Sequence, residues 1–133
     1  MICVTGAAGF IGSHILKILK EKNISNVLLC DPRDTNMMHP TEFLQKLNEI
    51  KPSIMYHMGA ISSTTETNTE AIAKNNILFS CQLLEYCIAN DVPLIYASSA
   101  SVYGLGINGF KEGAPHTPLN YYAMSKSIFD QHL

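Results

Sequence analysis

Met1-Ile-Cys-Val-Thr-Gly6-Ala-Ala-Gly9-Phe-Ile-Gly12 is the stretch whose reading decides the fold. Its first five residues form a mainly apolar, partly β-branched run that ends in glycines, and an amphipathic segment with Ile15, Ile18 and Leu19 follows. The pattern predicts strand, tight turn and helix, with the helix N-terminus aimed at whatever lies over the turn. Unpaired N–H groups and the helix dipole favour an anion there, and the pyrophosphate of a dinucleotide is the usual one. Gly6, Gly9 and Gly12 let the backbone turn and approach phosphates with no Cβ in the way. The spacing Gly-x-x-Gly-x-x-Gly is one residue wider in its first gap than the common dinucleotide fingerprint. Alone it also fits a plain tight turn. The flanking strand and helix, and an acid at the end of the next strand, argue against that reading.

Working outward, Asn26-Val-Leu-Leu-Cys-Asp31 reads as a second strand, and residues 41–51 as a helix with Phe43, Leu44, Leu47 and Ile50 on one stripe, stopped by Pro52. Between them a third strand has room only as a stub near Thr35-Asn36-Met37. Ser53-Ile-Met-Tyr-His-Met58 and Leu94-Ile-Tyr-Ala-Ser98 are further strands, and helices are expected over 70–90 and from about Tyr121. Alternating strands and helices predict an α/β fold, a Rossmann-like, doubly wound parallel sheet with a shortened third strand. The helical pattern at Gln131-His132-Leu133 has no exit signal, and a sheet ending at Leu94-Ile-Tyr-Ala-Ser98 has a bare apolar edge. Residues 1–133 are therefore expected to be an NAD(P)-binding domain, the first part of a longer protein, without its substrate-binding lobe.

A chain of 133 residues with 47% apolar and 15% charged residues suits one soluble α/β domain. Its net charge of −2, with no basic cluster, gives no footprint for nucleic acid or an anionic membrane. No apolar run reaches membrane-spanning length. Cys3, Cys30, Cys81 and Cys87 have no paired spacing and read as buried reduced thiols. The five histidines form no metal-ligand pattern, so no metal is expected. A strand starting at Met1 leaves no room for a signal peptide, and these features together point to the cytoplasm.

Three places carry chemistry. Asp31 ends the second strand about 20 residues beyond the turn, where an acid hydrogen-bonds the adenosine ribose; a turn-initiating role before Pro32 is the alternative. Arg33 leaves NAD and NADP both open, since a carboxylate repels a 2′-phosphate and a guanidinium holds one. Tyr122 and Lys126 stand at i and i+4 on one helix face, where an ammonium brings a phenol's pKa into working range. Ser99 follows a strand's C-terminal end, where open α/β sheets put their ligands.

Together the glycine turn, Asp31, Ser99, Tyr122, Lys126 and Ala97-Ser-Ser-Ala-Ser-Val-Tyr-Gly104 resemble the extended short-chain dehydrogenase/reductases that act on nucleotide sugars, the NAD-dependent epimerase/dehydratase family. Within that group His57-Met-Gly-Ala-Ile-Ser-Ser-Thr-Thr-Glu66, Asn75-Asn76 and Tyr96-Ala-Ser-Ser-Ala100 are most similar to epimerases of heptose nucleotides. The resemblance implies a cofactor, NAD or NADP, held by Gly6, Gly9, Phe10, Ile11 and Gly12 at the pyrophosphate and by Asp31 and Pro32 at the adenosine ribose. It implies that Met58, Gly59, Ala60, Ile61, Ser62 and Asn75 line the cofactor. Ser99 and Tyr122 face a nucleotide-sugar substrate, and Lys126 holds the nicotinamide ribose. Ser63 and Glu66 fit a Ser-x-x-Glu capping box at least as well as a substrate contact. Where sugar 4,6-dehydratases carry Thr-Asp-Glu this chain has Ser99-Ala100-Ser101, which excludes that reaction. The implied activity is epimerisation by transient oxidation of a sugar hydroxyl, in a homo-oligomer when full length. A hexose 4-epimerase, a nucleotide-sugar reductase and a non-catalytic cofactor-binding module are the alternatives.

Overall fold

A computed structural model describes all 133 residues. The chain divides into two compact units, Met1–Gly59 with Gln82–Ala97, and Ala60–Cys81 with Ser98–Leu133.

The first unit holds a four-stranded parallel sheet in the order β2-β1-β3-β4, formed by β1 (Ile2–Thr5), β2 (Val27–Cys30), β3 (Ile54–His57) and β4 (Leu94–Tyr96). Thr5 lies level with Cys30 on one side and His57 on the other, so these three strands end together. The expected third strand is a single bridge between Cys30 and Met38, one residue past the predicted stub. Nine residues between Asp31 and Thr41 leave room for no more. Successive strands β1 and β2 pair on one side, and β3 then pairs on the other side of β1. That reversal makes the C-terminal ends of β1 and β3 the place where open sheets of this kind bind ligands.

The central strand β1 is buried on both faces through Cys3, Val4 and Thr5, whereas Ile95 of the edge strand β4 is exposed. Val4 packs with Ala7 and Leu19, joined by Ile15 and Leu16 of α1 (Phe10–Glu21). Cys3, on the other face of β1, is fully buried. Burial pushes the Cys3 and Cys30 thiols up to about 12 and raises Cys87 as well. All four cysteines are free, although Cys81 is half-buried rather than buried. Helix α2 (Pro40–Leu47) begins with proline in its first turn, a position that needs no N–H donor. It stops at Leu47, short of the predicted Lys51, because Asn48 and Glu49 tighten into bonds to Gln45 and Lys46, three residues back. The Tyr86 hydroxyl lies 2.8 Å from the Leu47 carbonyl and 2.9 Å from that of Ile50, and serves this helix end.

The predicted 70–90 helix runs as α3 (Thr69–Ile72), a π-helical segment (Ala73–Leu78) and α4 (Phe79–Asn90). Its cap is Asn68, whose Oδ1 accepts from the Ala71 N–H at 3.0 Å. This corrects the capping-box reading of Ser63 and Glu66. Glu66 instead accepts from the N–H groups of Thr67 and Asn68, while Ser63 closes a turn onto Thr65. In the second unit α5 (Tyr121–Asp130) packs on the π-helical segment and on a 3₁₀ turn, Ala100–Tyr103. Val102 of the turn and Ala123 and Phe129 of α5 are buried. No helix is long and apolar enough to cross a membrane.

Candidate functional site

In the first unit the three glycines have different duties. Gly6 has φ +66°, and a Cβ on it would fall 2.6 Å from the backbone of Gly59. A Cβ on Gly12 would fall 2.2 Å from the Gly6 carbonyl oxygen. These two allow β1, the turn after β3 and the first turn of α1 to close on one another. Gly9 is less confined, with 3.1 Å to the same oxygen, and has an extended backbone that any residue adopts. Thr5 completes the closure: its Oγ1 accepts from the Gly59 N–H at 3.2 Å and lies 2.6 Å from Nδ1 of the buried His57.

The N-terminus of α1 has no side-chain cap and no acid in its first turn. Phe10 is 82% exposed and Ile11 52%, which is unusual for large apolar side chains at a helix start. An uncapped helix end, glycines beneath it and exposed apolar side chains beside it fit a dinucleotide pyrophosphate and what is attached to it. The fit continues at Asp31. Although buried, it reaches the turn, accepting from the Ala8 N–H at 3.0 Å. Arg33 binds the same carboxylate, and that bond, ahead of the opposing effect of burial, holds the Asp31 carboxyl below the usual range. Pro32 is exposed, and Met58 and Gly59 are half-buried.

In the second unit Ala60 and Ile61 are half-buried and Ser62 is exposed. Asn75 is half-buried and donates to the Ala71 carbonyl of its own helix at 2.8 Å. Its neighbour Asn76 does more. Fully buried, it accepts from the Ile61 N–H at 2.8 Å and donates to the Ile61 carbonyl at 2.9 Å and to Ser125 Oγ at 3.0 Å. The sequence holds a signal for it. Asn76 falls in register with Ile72, Phe79, Leu83 and Cys87, all buried, so it is a polar side chain on an apolar stripe.

Ser99 caps the 3₁₀ turn, accepting from the Ser101 N–H at 3.2 Å with its Oγ 2.8 Å from that of Ser101. Asn120 caps α5 through the Ala123 N–H at 2.8 Å and so sets the helix that presents Tyr122 and Lys126 one turn apart. Tyr122 is half-buried. Lys126 is 3% exposed, and burial lowers its pKa to about 8, an effect Asp130 partly offsets. Asp130 was not singled out by sequence. It accepts from Ser98 Oγ at 2.5 Å and ties α5 to the residue before Ser99. Beside these residues a cleft of about 450 Å³ opens between the 64–67 loop and Pro118, Leu119, Tyr121 and Met124.

The sequence profile of the NAD dependent epimerase/dehydratase family matches residues 2–133. The chain is 39% identical to the ADP-L-glycero-D-manno-heptose-6-epimerase of Brachyspira hyodysenteriae, over all of this chain and 48% of that protein. The crystal structure of the enzyme of the same name from Helicobacter pylori is similar, with a TM-score of 0.87 and 28% identity over 98% of this chain and 49% of that one. So is UDP-glucuronic acid 4-epimerase from Bacillus cereus in complex with NAD, with a TM-score of 0.81 and 27% identity over 98% of this chain and 49% of that one. The chain spans about half the length of the relatives it matches.

Proposed function

Because this chain belongs to the NAD dependent epimerase/dehydratase family, we propose that it supplies the dinucleotide-binding and proton-transferring part of a nucleotide-sugar epimerase. By its likeness to the heptose-epimerase relatives, the substrate is an ADP-heptose inverted at carbon 6. The observation that carries this reading is Lys126. An ammonium 3% exposed, one turn after Tyr122 and with its pKa lowered by burial to about 8, is the kind of perturbed buried charge that clusters at functional sites.

The cofactor is NAD or NADP. Gly9 and the free N–H groups of α1 hold the pyrophosphate, Phe10 and Ile11 shield it, and Asp31 and Pro32 stand at the adenosine ribose. Met58, Gly59, Ala60, Ile61, Ser62 and Asn75 line its further course. When bound, it supplies a reversible hydride acceptor, so oxidation followed by reduction leaves no net redox change.

Tyr122 Oη takes the proton of the sugar hydroxyl as that carbon is oxidised, and gives it back when the ketone is reduced on its other face. Lys126 favours the phenolate by its charge and binds the nicotinamide ribose hydroxyls. Ser99 Oγ donates to the reacting oxygen and fixes its position. The test is turnover by the whole protein that carries this chain, with the cofactor recovered unchanged. Stoichiometric consumption of NADPH would make it a reductase instead, and binding of dinucleotide with no sugar turned over would make it a binding module.

A further inference from the structure

Asp130 closes α5 four residues after Lys126, which itself follows Tyr122 by four, so the three side chains share one broad face of the helix. The two oxygens of its carboxylate have different surroundings. Oδ2 accepts from Ser98 Oγ at 2.5 Å, the length of a hydroxyl bound to a carboxylate anion and one of the stronger kinds of hydrogen bond. Oδ1 is buried and makes no hydrogen bond. A buried carboxylate oxygen in that condition is costly unless an opposite charge lies near, and the Lys126 ammonium stands one turn back on the same face.

Other ionisable groups surround α5. The segments packed on it bring Glu70 and Lys74, both exposed, and Tyr103 of the 3₁₀ turn. His116 Nδ1 lies 2.9 Å from Ser127 Oγ. None of these acts on Lys126 as Asp130 does: it is the one charge that opposes the effect of burial there. Ser98 in turn precedes Ser99, whose own Oγ is engaged with the Ser101 N–H and hydroxyl inside the 3₁₀ turn. The bond from Ser98 to Asp130 therefore reaches across 32 residues of sequence and ties that turn to the last turn of α5.

We infer that Asp130 is a positioning residue of the reaction, whose carboxylate holds the Ser98–Ser99 turn against α5 with one oxygen and faces its negative charge to the Lys126 ammonium. This rests on the epimerase reading of Ser99, Tyr122 and Lys126 and adds what fixes them relative to one another. Asp130 touches neither sugar nor cofactor. It acts through Ser98 on where the Ser99 hydroxyl stands, and through its charge on whether Lys126 stays protonated.

Carbon-13 NMR of the lysine side chains of the whole protein follows the ionisation of Lys126 without substrate, with Lys126→Met identifying its signal. Asp130→Asn keeps an acceptor for Ser98 but loses the charge. Lys126 then releases its proton about one pH unit lower or more, the scale of a lost neighbouring charge, and the limb of the turnover profile that depends on that proton moves to lower pH with it. Ser98→Ala keeps the charge and loses the bond. Lys126 then titrates as in the unsubstituted protein, while kcat falls about tenfold or more at unchanged dinucleotide affinity, as when a reacting group is misplaced. Ser98→Thr restores the hydroxyl and recovers kcat. An unmoved Lys126 in Asp130→Asn, or full turnover in Ser98→Ala, would overturn the inference, and the Ser98 variants decide alone if Asp130→Asn does not fold. A protein that turns over no sugar, yet whose Lys126 responds to Asp130→Asn, would overturn the epimerase reading and leave the pairing of Asp130 with Lys126 standing.

Discussion

Asn76 donates its side-chain amide to Ser125 Oγ at 3.0 Å, and Ser125 is the residue before Lys126. The same amide group holds both backbone polar groups of Ile61, and Ser125 Oγ in turn lies 2.7 Å from the Tyr122 carbonyl oxygen. One buried side chain thus joins the loop after β3 to the turn of α5 that carries both proposed proton-transfer residues. It sits in a π-helical segment, a local widening often found at functional sites. Replacing Asn76 by Leu removes the partner of the part-buried Ile61 N–H and C=O and the donor to the buried Ser125 hydroxyl. The expected loss is about 2–3 kcal/mol, from the cost of burying unpaired polar groups. Urea unfolding measures it, and a loss below about 0.5 kcal/mol would show that Asn76 holds nothing together.

Substitutions in the glycine turn separate folding from binding. Gly12→Val drives a side chain into the Gly6 carbonyl and should prevent folding or sharply lower stability. Gly9→Val is less obstructed, since its Cβ would lie 3.1 Å from the Gly6 carbonyl oxygen and 3.2 Å from the Arg33 guanidinium on an extended backbone, so the protein should fold with some loss of stability, yet its branched side chain occupies the phosphate approach. Dinucleotide binding should then fall below detection in a protein that still melts cooperatively, at a temperature well above that of Gly12→Val. Calorimetry and thermal melts read both, and normal affinity in a folded Gly9→Val protein contradicts the pyrophosphate assignment.

Lys126 makes a prediction in pH. Its folded pKa of about 8 lies below the ordinary 10.5 because burial disfavours the charge. Between these values the unfolded chain binds more protons than the folded one, so this group's penalty is full below pH 8 and fades as pH rises toward 10.5. The penalty is about 3 kcal/mol at neutral pH by linkage. The thiols of Cys3 and Cys30 act oppositely, since their raised folded values withdraw stability as pH climbs past the ordinary thiol range. The difference between the unsubstituted protein and Lys126→Met cancels them. Lys126→Met should be more stable by about 1–3 kcal/mol at pH 7, with the gain shrinking by pH 10, while turnover is lost. Denaturant unfolding at both pH values checks it, and a pH-independent difference contradicts a buried ammonium.

Along α5, Tyr121, Met124 and Ile128 are 48, 46 and 45% exposed and share one face. Leu78 and Ile88 on the 69–90 helix are exposed as well, and we propose that these two helices are the surfaces through which the whole protein pairs with a second copy. Light scattering after size exclusion should show a dimer, and Ile128→Lys should shift it to monomer. A monomeric unsubstituted protein would contradict the pairing.

Much of this fold was legible because short-range rules set it. Hydrophobic runs placed the four strands to within one or two residues at most ends, and the brevity of the segment after Asp31 reduced the third strand to a bridge at Met38. The end of α2 was misplaced since its apolar stripe runs on through Ile50, whereas the backbone had already tightened at Asn48. The π-helical segment leaves no mark in periodicity over so short a span. Site residues separate the same way. Gly6, Gly9, Gly12, Asp31, Tyr122 and Lys126 are visible by type and spacing. The Arg33 clamp, the Asn76 links and the bond from Ser98 to Asp130 depend on where side chains turn, across 2, 15 and 32 residues of sequence, which no local pattern encodes.

The most direct test is the hydroxyl of Tyr122. In the whole protein supplied with an ADP-heptose and catalytic dinucleotide, inversion at carbon 6 followed by proton NMR should proceed with no net change in cofactor redox state. Tyr122→Phe should slow it by at least about 10²-fold, the usual worth of a positioned acid–base group, while dinucleotide affinity stays within about twofold. Undiminished turnover by Tyr122→Phe would contradict the proposed mechanism.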